Sequence, residues 1–203
     1  SNGHGVWEAA STNLGSDQHS LLIAGSGHFS DQWAIQTQGL GLSVIRTAHT
    51  EGQRIDVAAI ESALRADTSH KISAVMAVHT DTASGITSDL LEIRKAIDRA
   101  KHPALYVVDV VASLAATPFD MDALGVDVCL GSSQKGLMMP PGLGFVAVNA
   151  KAFNWSQQNA KPRFYWSWYE RKTPVQSAKF CGTPPLAHLA GLEMSLRLLN
   201  EEG

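Results

Sequence analysis

The chain has 203 residues, enough for one sizeable hydrophobic core and short for two. Hydrophobic residues make up 44% and charged residues 17%, which excludes a disordered chain and favours a well-buried α/β domain. The 16 basic and 19 acidic residues give a net charge of −3, which argues against a nucleic-acid backbone as the main partner.

Short apolar runs alternate along the chain with segments of helical periodicity. The runs predict six strands, at Ser20–Ala24, Leu42–Thr47, Ile72–Val78, Ala104–Val108, Val126–Leu130 and Phe145–Val148. Apolar strands that alternate with helices are typical of a mainly parallel sheet sandwiched by helices. In such sheets ligands bind beyond the carboxyl ends of the strands, so polar residues that follow apolar runs are the first candidates for a site.

Amphipathic segments between and after these strands predict helices. Asp56 is placed to cap Val57–Arg65, and Asp89 makes a capping-box-like start for Leu90–Ala100. A last leucine-rich helix follows Thr183, which we expect to cap it ahead of two prolines.

The two cysteines, Cys129 and Cys181, cannot form a disulfide framework and have no metal-ligand spacing. The eight histidines show no metal-ligand spacing either, so no metal is expected. No secretory signal and no continuous apolar stretch of about 20 residues is present. We expect a soluble protein of the cytoplasm, or of the peroxisome in a eukaryote, without a membrane or nucleic-acid partner.

Two charged side chains are isolated within apolar segments at the ends of predicted strands. Asp109 is the only charged residue in Pro103–Phe119, and Lys135 is the only one in Val128–Ala150. A charge in such a setting is costly unless it is paired, reaches solvent or is used in chemistry. A lysine among neutral groups can act as an amine nucleophile, and an aldehyde cofactor is its natural partner.

Pyridoxal phosphate (PLP) also needs an anion site, an acid at its pyridine nitrogen and flat surfaces against its ring. The glycine-rich start at Asn2–Gly5, just before a predicted helix, offers the anion site, although it is also an ordinary helix-capping turn. Asp109 is the candidate acid. Phe29 is the candidate ring-stacking residue and is equally compatible with a place in the core.

Three motifs together carry a resemblance to a known family. They are Gly131-Ser-Ser-Gln-Lys-Gly-Leu-Met-Met-Pro-Pro-Gly, Val107-Val-Asp-Val-Val-Ala-Ser-Leu and His79-Thr-Asp-Thr-Ala-Ser-Gly. The sequence closely resembles class V aminotransferases, which are PLP enzymes of fold type I, and within them the serine–glyoxylate and alanine–glyoxylate branch. The resemblance runs from end to end of the chain. It implies that residues 1–203 are a PLP-binding large domain, an incomplete chain without the N-terminal segment and the C-terminal small domain.

The resemblance also implies roles for matching residues. Lys135 would bind the cofactor covalently and shuttle protons, and Asp109 would pair with the pyridine nitrogen. The implied cofactor-binding residues are Asn2, Gly3, His4 and Gln134 at the phosphate, Phe29 and Val111 on the two ring faces, Thr82 near the phenolic oxygen, and Thr183 at the phosphate of a partner subunit in a homodimer. Phe180 stands where the family often has tyrosine. The arginine that holds the substrate carboxylate belongs to the small domain, and neither Arg46 nor Arg163 is assigned that role.

The function implied is transfer of an amino group from a small amino acid, serine or alanine, to a 2-oxo acid such as glyoxylate. The alternatives are a truncated PLP-binding domain without turnover, or another class V enzyme such as a ureidoglycine–glyoxylate or pyridoxamine–pyruvate aminotransferase. A cysteine desulfurase is disfavoured because those enzymes usually have a histidine where this chain has Gln134.

Two segments also fit patterns from outside the family. Ser132 and Lys135 fit the S-x-x-K pattern of β-lactamases, but Gly136 and two following prolines oppose the helix that this chemistry needs. A basic, aromatic segment at 161–172 is expected to serve packing or a dimer contact rather than single-stranded nucleic acid.

Overall fold

The computed structural model describes residues 1–158 and 163–203, so residues 161 and 162 of the basic, aromatic segment lie outside it. The strands within these ranges are β1 (Ser20–Ile23), β2 (Ser43–Arg46), β3 (Ile72–Val78), β4 (Thr80–Asp81), β5 (Ile86–Thr87), β6 (Leu105–Asp109), β7 (Val128–Ser132) and β8 (Gly144–Val148). The predicted Ile72–Val78 matches β3 end to end, and the other predicted strands are offset by one or two residues at one or both ends.

The helices in the same ranges are α1 (Gly3–Leu14), α2 (His28–Gly39), α3 (Val57–Ala66), α4 (Leu90–Ala100), α5 (Ala150–Gln158), α6 (Trp168–Arg171), α7 (Gln176–Lys179) and α8 (Leu186–Glu202). Asp56 and Asp89 cap α3 and α4 as predicted, each accepting a hydrogen bond from an N–H group of the first turn. In this described part of the chain, no helix combines the length and the apolar character that crossing a membrane requires.

Six strands form one sheet in the order β2-β1-β3-β6-β7-β8. All neighbouring pairs are parallel except β7 with β8, which run antiparallel. The prediction of a mainly parallel sheet is therefore confirmed. In the register of β3 and β6, Val78 lies beside Asp109, so two central strands end at the same level.

Helices cover both faces of this sheet, as the alternation of strands and helices predicts. Met76 packs in a core with α1, α2 and α5, whereas its neighbour Val75 packs in a second core with α3 and α4. Successive residues of a strand point to opposite faces, so one apolar run supplies both cores. Val75 and Met76 are both fully buried, which explains why β3 has no polar alternation.

Helix α2 is absent from the predicted helices because its sequence is rich in polar residues and lacks an apolar stripe. Local hydrogen bonds hold its start: the Ser30 hydroxyl oxygen accepts from the N–H groups of Ser26 (2.9 Å) and Gly27 (3.2 Å). Trp33 then anchors the helix, since its side chain is fully buried in the first core.

The predicted cap of α8 is wrong. The residue that precedes the helix is Pro185, and Thr183 lies further out without capping it. A residue followed by proline is pushed toward extended backbone, and two successive prolines therefore delay the helix start until Leu186.

The segment at 161–172, which is predicted to serve packing or a dimer contact, is buried in this chain only in part. Trp168 is buried in the first core. Phe164 and Tyr169, by contrast, expose 69% and 61% of their surface.

The cap of α4 gives a first testable prediction. Asp89→Ala removes the acceptor of the Glu92 N–H bond (3.1 Å) and should lower the free energy of unfolding by about 1 kcal/mol. The matched control is Asp98→Ala on the same helix, which removes an exposed carboxylate paired with Arg94 and should cost less than about 0.5 kcal/mol. Chemical denaturation measures both, and equal losses in the two variants would contradict the capping role.

Candidate active site

The chemistry-bearing residues meet at one edge of the sheet because parallel strands end together there. Asp109 is the last residue of β6 and lies between Val78 of β3 and Leu130 of β7. The chain leaving β7 then carries Gln134 and Lys135 to the same edge. This is the edge at which parallel α/β sheets bind ligands.

A cavity at this edge gathers most of the residues predicted from the sequence. Its lining includes nine of them: Asn2, Gly3, His4, Phe29, Thr82, Asp109, Val111, Gln134 and Lys135. Thr183 lies instead on a second cavity together with Phe180. The second cavity is the larger, about 750 Å³ against about 180 Å³, but the carboxylate and the amine line the first, which we take as the candidate site on chemical grounds.

The start of α1 forms one wall of the site. The Asn2 side chain caps this helix by accepting a hydrogen bond from the Gly5 N–H group (3.2 Å). The first N–H groups of a helix have no partner within it, and they favour an anion. A Cβ atom at Gly3 would lie 3.3 Å from Val111, so glycine keeps this wall close to the opposite side of the cavity.

Asp109 is the charged centre of the site and only 4% of its surface is exposed. Its Oδ1 accepts from the Val111 N–H group and its Oδ2 from the Trp7 indole N–H group, each at 2.6 Å. Burial raises the pKa of Asp109 to about 6, the two hydrogen bonds oppose that rise, and nearby Asp81 adds to it. The carboxyl group of Asp109 is therefore near the midpoint of its protonation in mildly acidic solution.

Phe29 is set in place by a second buried carboxylate. Asp81, at the end of β4, accepts the Phe29 N–H group on Oδ2 (3.0 Å) and the Ala83 N–H group on Oδ1 (2.9 Å). Gly27 has a φ of 140°, and a Cβ there would lie 2.8 Å from Asp81 Oδ2. Only glycine fits this close approach without strain, so Gly27 lets the carboxylate reach the start of α2. Thr82 follows Asp81 directly and lines the cavity.

Lys135 lies in a tight loop between β7 and β8. Ser133 fixes this loop, donating to the Pro140 carbonyl oxygen (2.7 Å) and accepting from the Leu143 N–H group (3.3 Å). A Cβ atom at Gly136 would lie 2.2 Å from the Leu114 carbonyl oxygen, so the residue after Lys135 must be glycine. Unlike Asp109, Lys135 is exposed, and the cost of burying a charge applies to the aspartate alone.

Comparison with known proteins bears on this arrangement. Residues 6–203 match the profile of the family described as Aminotransferase class-V. The chain belongs to this family. The chain is 42% identical to a serine–glyoxylate aminotransferase of Methylorubrum extorquens over 99% of its length, and 37% identical to an L-aspartate–glyoxylate aminotransferase of Paracoccus denitrificans over 100% of its length. It spans about half the length of these curated relatives, 51% in both cases.

Solved structures agree on the fold. A crystal structure of an alanine–glyoxylate aminotransferase from Nostoc sp. superposes with a TM-score of 0.88 at 24% identity, covering 100% of this chain and 53% of that one. The predicted fold class, an α/β sandwich of PLP-transferase fold type I, is therefore confirmed.

Three residues that hold the candidate site together are missing from those predicted as functional. They are Trp7, Asp81 and His79. The His79 imidazole Nδ1 makes a 2.8 Å hydrogen bond with the Ser113 hydroxyl, and the His79 backbone N–H group donates to the Asp109 carbonyl oxygen. Asp81 and His79 lie within the quoted motif that begins at His79, so their position was a usable signal. The signal for Trp7 is weaker: it lies on the helix that begins at the glycine-rich segment Asn2–Gly5.

The raised pKa of Asp109 predicts a pH-dependent stability. An acid whose pKa is higher in the folded than in the unfolded protein takes up protons on folding, so the free energy of unfolding falls as pH rises through that window. The window runs from the ordinary value of 3.8 to about 6. Wild type without cofactor should lose about 3 kcal/mol across it relative to Asp109→Asn. Denaturant titrations of both proteins at a series of pH values measure this, and parallel pH profiles would contradict it.

Proposed function

We propose that the protein is a PLP-dependent aminotransferase that moves an amino group from serine or alanine to a 2-oxo acid such as glyoxylate. The observation that carries this proposal is one cavity lined by a buried carboxylate, Asp109, a lysine amine, Lys135, and the start of a helix, α1. Membership of the class V family supports it.

The residues present fit PLP at its phosphate. The N–H groups of Gly3 and His4 lie in the first turn of α1, where a phosphate is favoured. Gln134 has a buried side-chain oxygen that lacks a hydrogen-bond partner within the described ranges, so its amide can turn an N–H group toward an anion without breaking a bond. A Cβ atom at Gly3 would crowd Val111 at 3.3 Å, so glycine lets the first turn of α1 lie close against Val111.

The residues also fit an aromatic ring. Phe29 and Val111 both line the cavity, and Phe29 is fixed by its backbone bond to Asp81. Asp109 faces the same cavity with a carboxylate whose position is fixed by two donors. This set of groups supplies two apolar surfaces and one acceptor for a ring nitrogen.

When bound, PLP supplies an aldehyde that condenses with amines and a pyridine ring that takes up an electron pair. The chain's own part is to hold and move protons. Asp109 would hold a proton on the ring nitrogen, and its burial strengthens that interaction because few water molecules screen it. The exposed Lys135 amine, which lines the same cavity, would carry a proton to and from the α-carbon of the substrate.

We further infer a homodimer of the cytoplasm, in which Thr183 serves the site of the partner subunit. Its location on a second cavity, away from the site that Lys135 lines, supports this inference. The thiols of Cys129 and Cys181 are both free, as in a protein of a reducing compartment.

Chemical trapping tests the lysine. Borohydride reduction of the full-length protein after loading with PLP, followed by peptide mapping, should place the adduct on Lys135. Lys135→Ala should lose both the adduct and turnover, because no other amine is placed in the motif. Lys95→Ala, which removes an exposed lysine of α4, should retain both. An adduct on another lysine in wild type would contradict the site assignment.

A panel of amino donors with glyoxylate as acceptor tests the substrate class. Serine or alanine should give a kcat/KM at least about tenfold above that of aspartate, equivalent to about 1.4 kcal/mol of transition-state stabilisation. A preference for aspartate, or turnover of only ureidoglycine or pyridoxamine, would overturn the donor assignment. Adduct formation without turnover of any donor would identify a cofactor-binding protein instead of an enzyme.

A further inference from the structure

Trp7 donates a hydrogen bond from the middle of the protein to the candidate catalytic carboxylate. Its indole Nε1 lies 2.6 Å from Asp109 Oδ2, and only 2% of its surface is exposed. An indole N–H group is a donor and never an acceptor. Asp109 Oδ2 is therefore held as an acceptor whatever the protonation of the rest of the carboxyl group.

Aromatic rings on several sides keep this indole in place. Trp33 stacks on it with centroids 5.4 Å apart and planes within 12°, and Phe29 meets it edge-on at 6.3 Å. His4, at the start of the same helix, packs against the indole with ring centroids 4.5 Å apart. Turning the indole away from Asp109 would break these contacts, so the donor is pre-organised.

The two oxygens of Asp109 receive one donor each. Val111 supplies its backbone N–H group to Oδ1, and Trp7 supplies the indole N–H group to Oδ2. Hydrogen bonds to an ionised carboxylate are about twice as strong as those to a neutral group. Both donors thus favour the charged form, in a place where burial favours the neutral one.

We propose that Trp7 is a positioning residue of this site, whose indole N–H group holds the Asp109 carboxylate ionised and aimed at the ring nitrogen of the bound cofactor. The inference deepens the proposed function and rests on it. The resemblance to class V aminotransferases does not assign this role, which follows from the contact between α1 and the end of β6.

Other ionisable groups face Asp109 and must be kept constant in any test. Those on the elements packed around it are His79 and Asp81 after β3, Cys129 on β7, Lys135 in the loop that follows, and His4 on α1. Trp7→Phe changes none of them. It removes the N–H donor and leaves an aromatic ring in the stack, so it isolates the hydrogen bond.

The first measurement needs no cofactor. In the full-length protein, the infrared C=O band of the protonated Asp109 carboxyl, assigned by its loss in Asp109→Asn, reports the titration of this group. Trp7→Phe should move the midpoint upward by about one to two pH units, because a hydrogen bond to a charged group contributes about 1.5–3 kcal/mol. Trp33→Phe is the matched control, since it removes an indole that donates to Ser11 (3.3 Å) and not to Asp109, and it keeps an aromatic ring against Trp7. An unchanged midpoint in Trp7→Phe, or equal shifts in both variants, would overturn the proposal.

The second measurement uses the cofactor and an analogue. Trp7→Phe should bind PLP about tenfold more weakly at neutral pH, whereas binding of 1-deazapyridoxal phosphate, in which a carbon replaces the ring nitrogen, should change little. Equal weakening for both compounds would mean that Trp7 only supports packing. Failure of wild type to bind PLP would overturn the proposed function, while the cofactor-free titration would still decide the role of Trp7.

A third measurement covers the case in which Trp7→Phe does not fold. In the wild-type protein, one tryptophan indole N–H resonance should shift with pH at the midpoint of the Asp109 carboxyl. The same resonance should be independent of pH in Asp109→Asn. If no indole resonance follows that midpoint, the proposal is wrong.

Discussion

The burial of a carboxylate at the end of a central strand is the constraint on which the rest of the site depends. Asp109 can be charged there only if donors meet both of its oxygens, and these donors come from α1 and from the chain that leaves β6. Because Trp7 lies one turn after Gly3, the contact that satisfies the carboxylate also fixes the start of α1 beside the cavity. One hydrogen bond therefore couples the anion-binding wall to the charged centre.

A second buried acid, Asp81, fixes the part of the cavity wall that Phe29 forms. Asp81 is satisfied by N–H groups from α2 and from its own hairpin, so it fixes Phe29 relative to the end of β3. The two carboxylates also repel each other, and Asp81 contributes to the raised pKa of Asp109. The cost of burying each carboxylate is offset in part by a donor from a neighbouring helix, α1 for Asp109 and α2 for Asp81. Trp7 of α1 and Phe29 of α2 both belong to or pack against the first core, so the donors to both acids come from helices of that core.

The sequence predicts what depends on local pattern and misses what depends on long-range contact. Ile72–Val78 was readable as a buried strand because both of its faces are apolar, and the isolation of Asp109 and Lys135 in apolar segments marked both as candidates. The hydrogen bond from Trp7 joins residues 102 positions apart, and no periodicity reports such a contact. Helix α2 was not predicted for a related reason. It has no apolar stripe, and a single buried tryptophan together with the hydrogen bonds at its start stabilises it instead.

Asp109 and Lys135 look alike in the sequence, each a lone charge after an apolar strand, yet the fold gives them opposite environments. Asp109 is buried and held by two donors, whereas Lys135 is exposed on a loop whose backbone is fixed by Ser133. The difference suits the proposed chemistry. A fixed charge that stabilises a protonated ring acts most strongly where water is excluded, while an amine that passes a proton between partners needs room to move. The end of β6 and the loop after β7 thus bring a buried, fixed carboxylate and an exposed amine to the lining of one cavity.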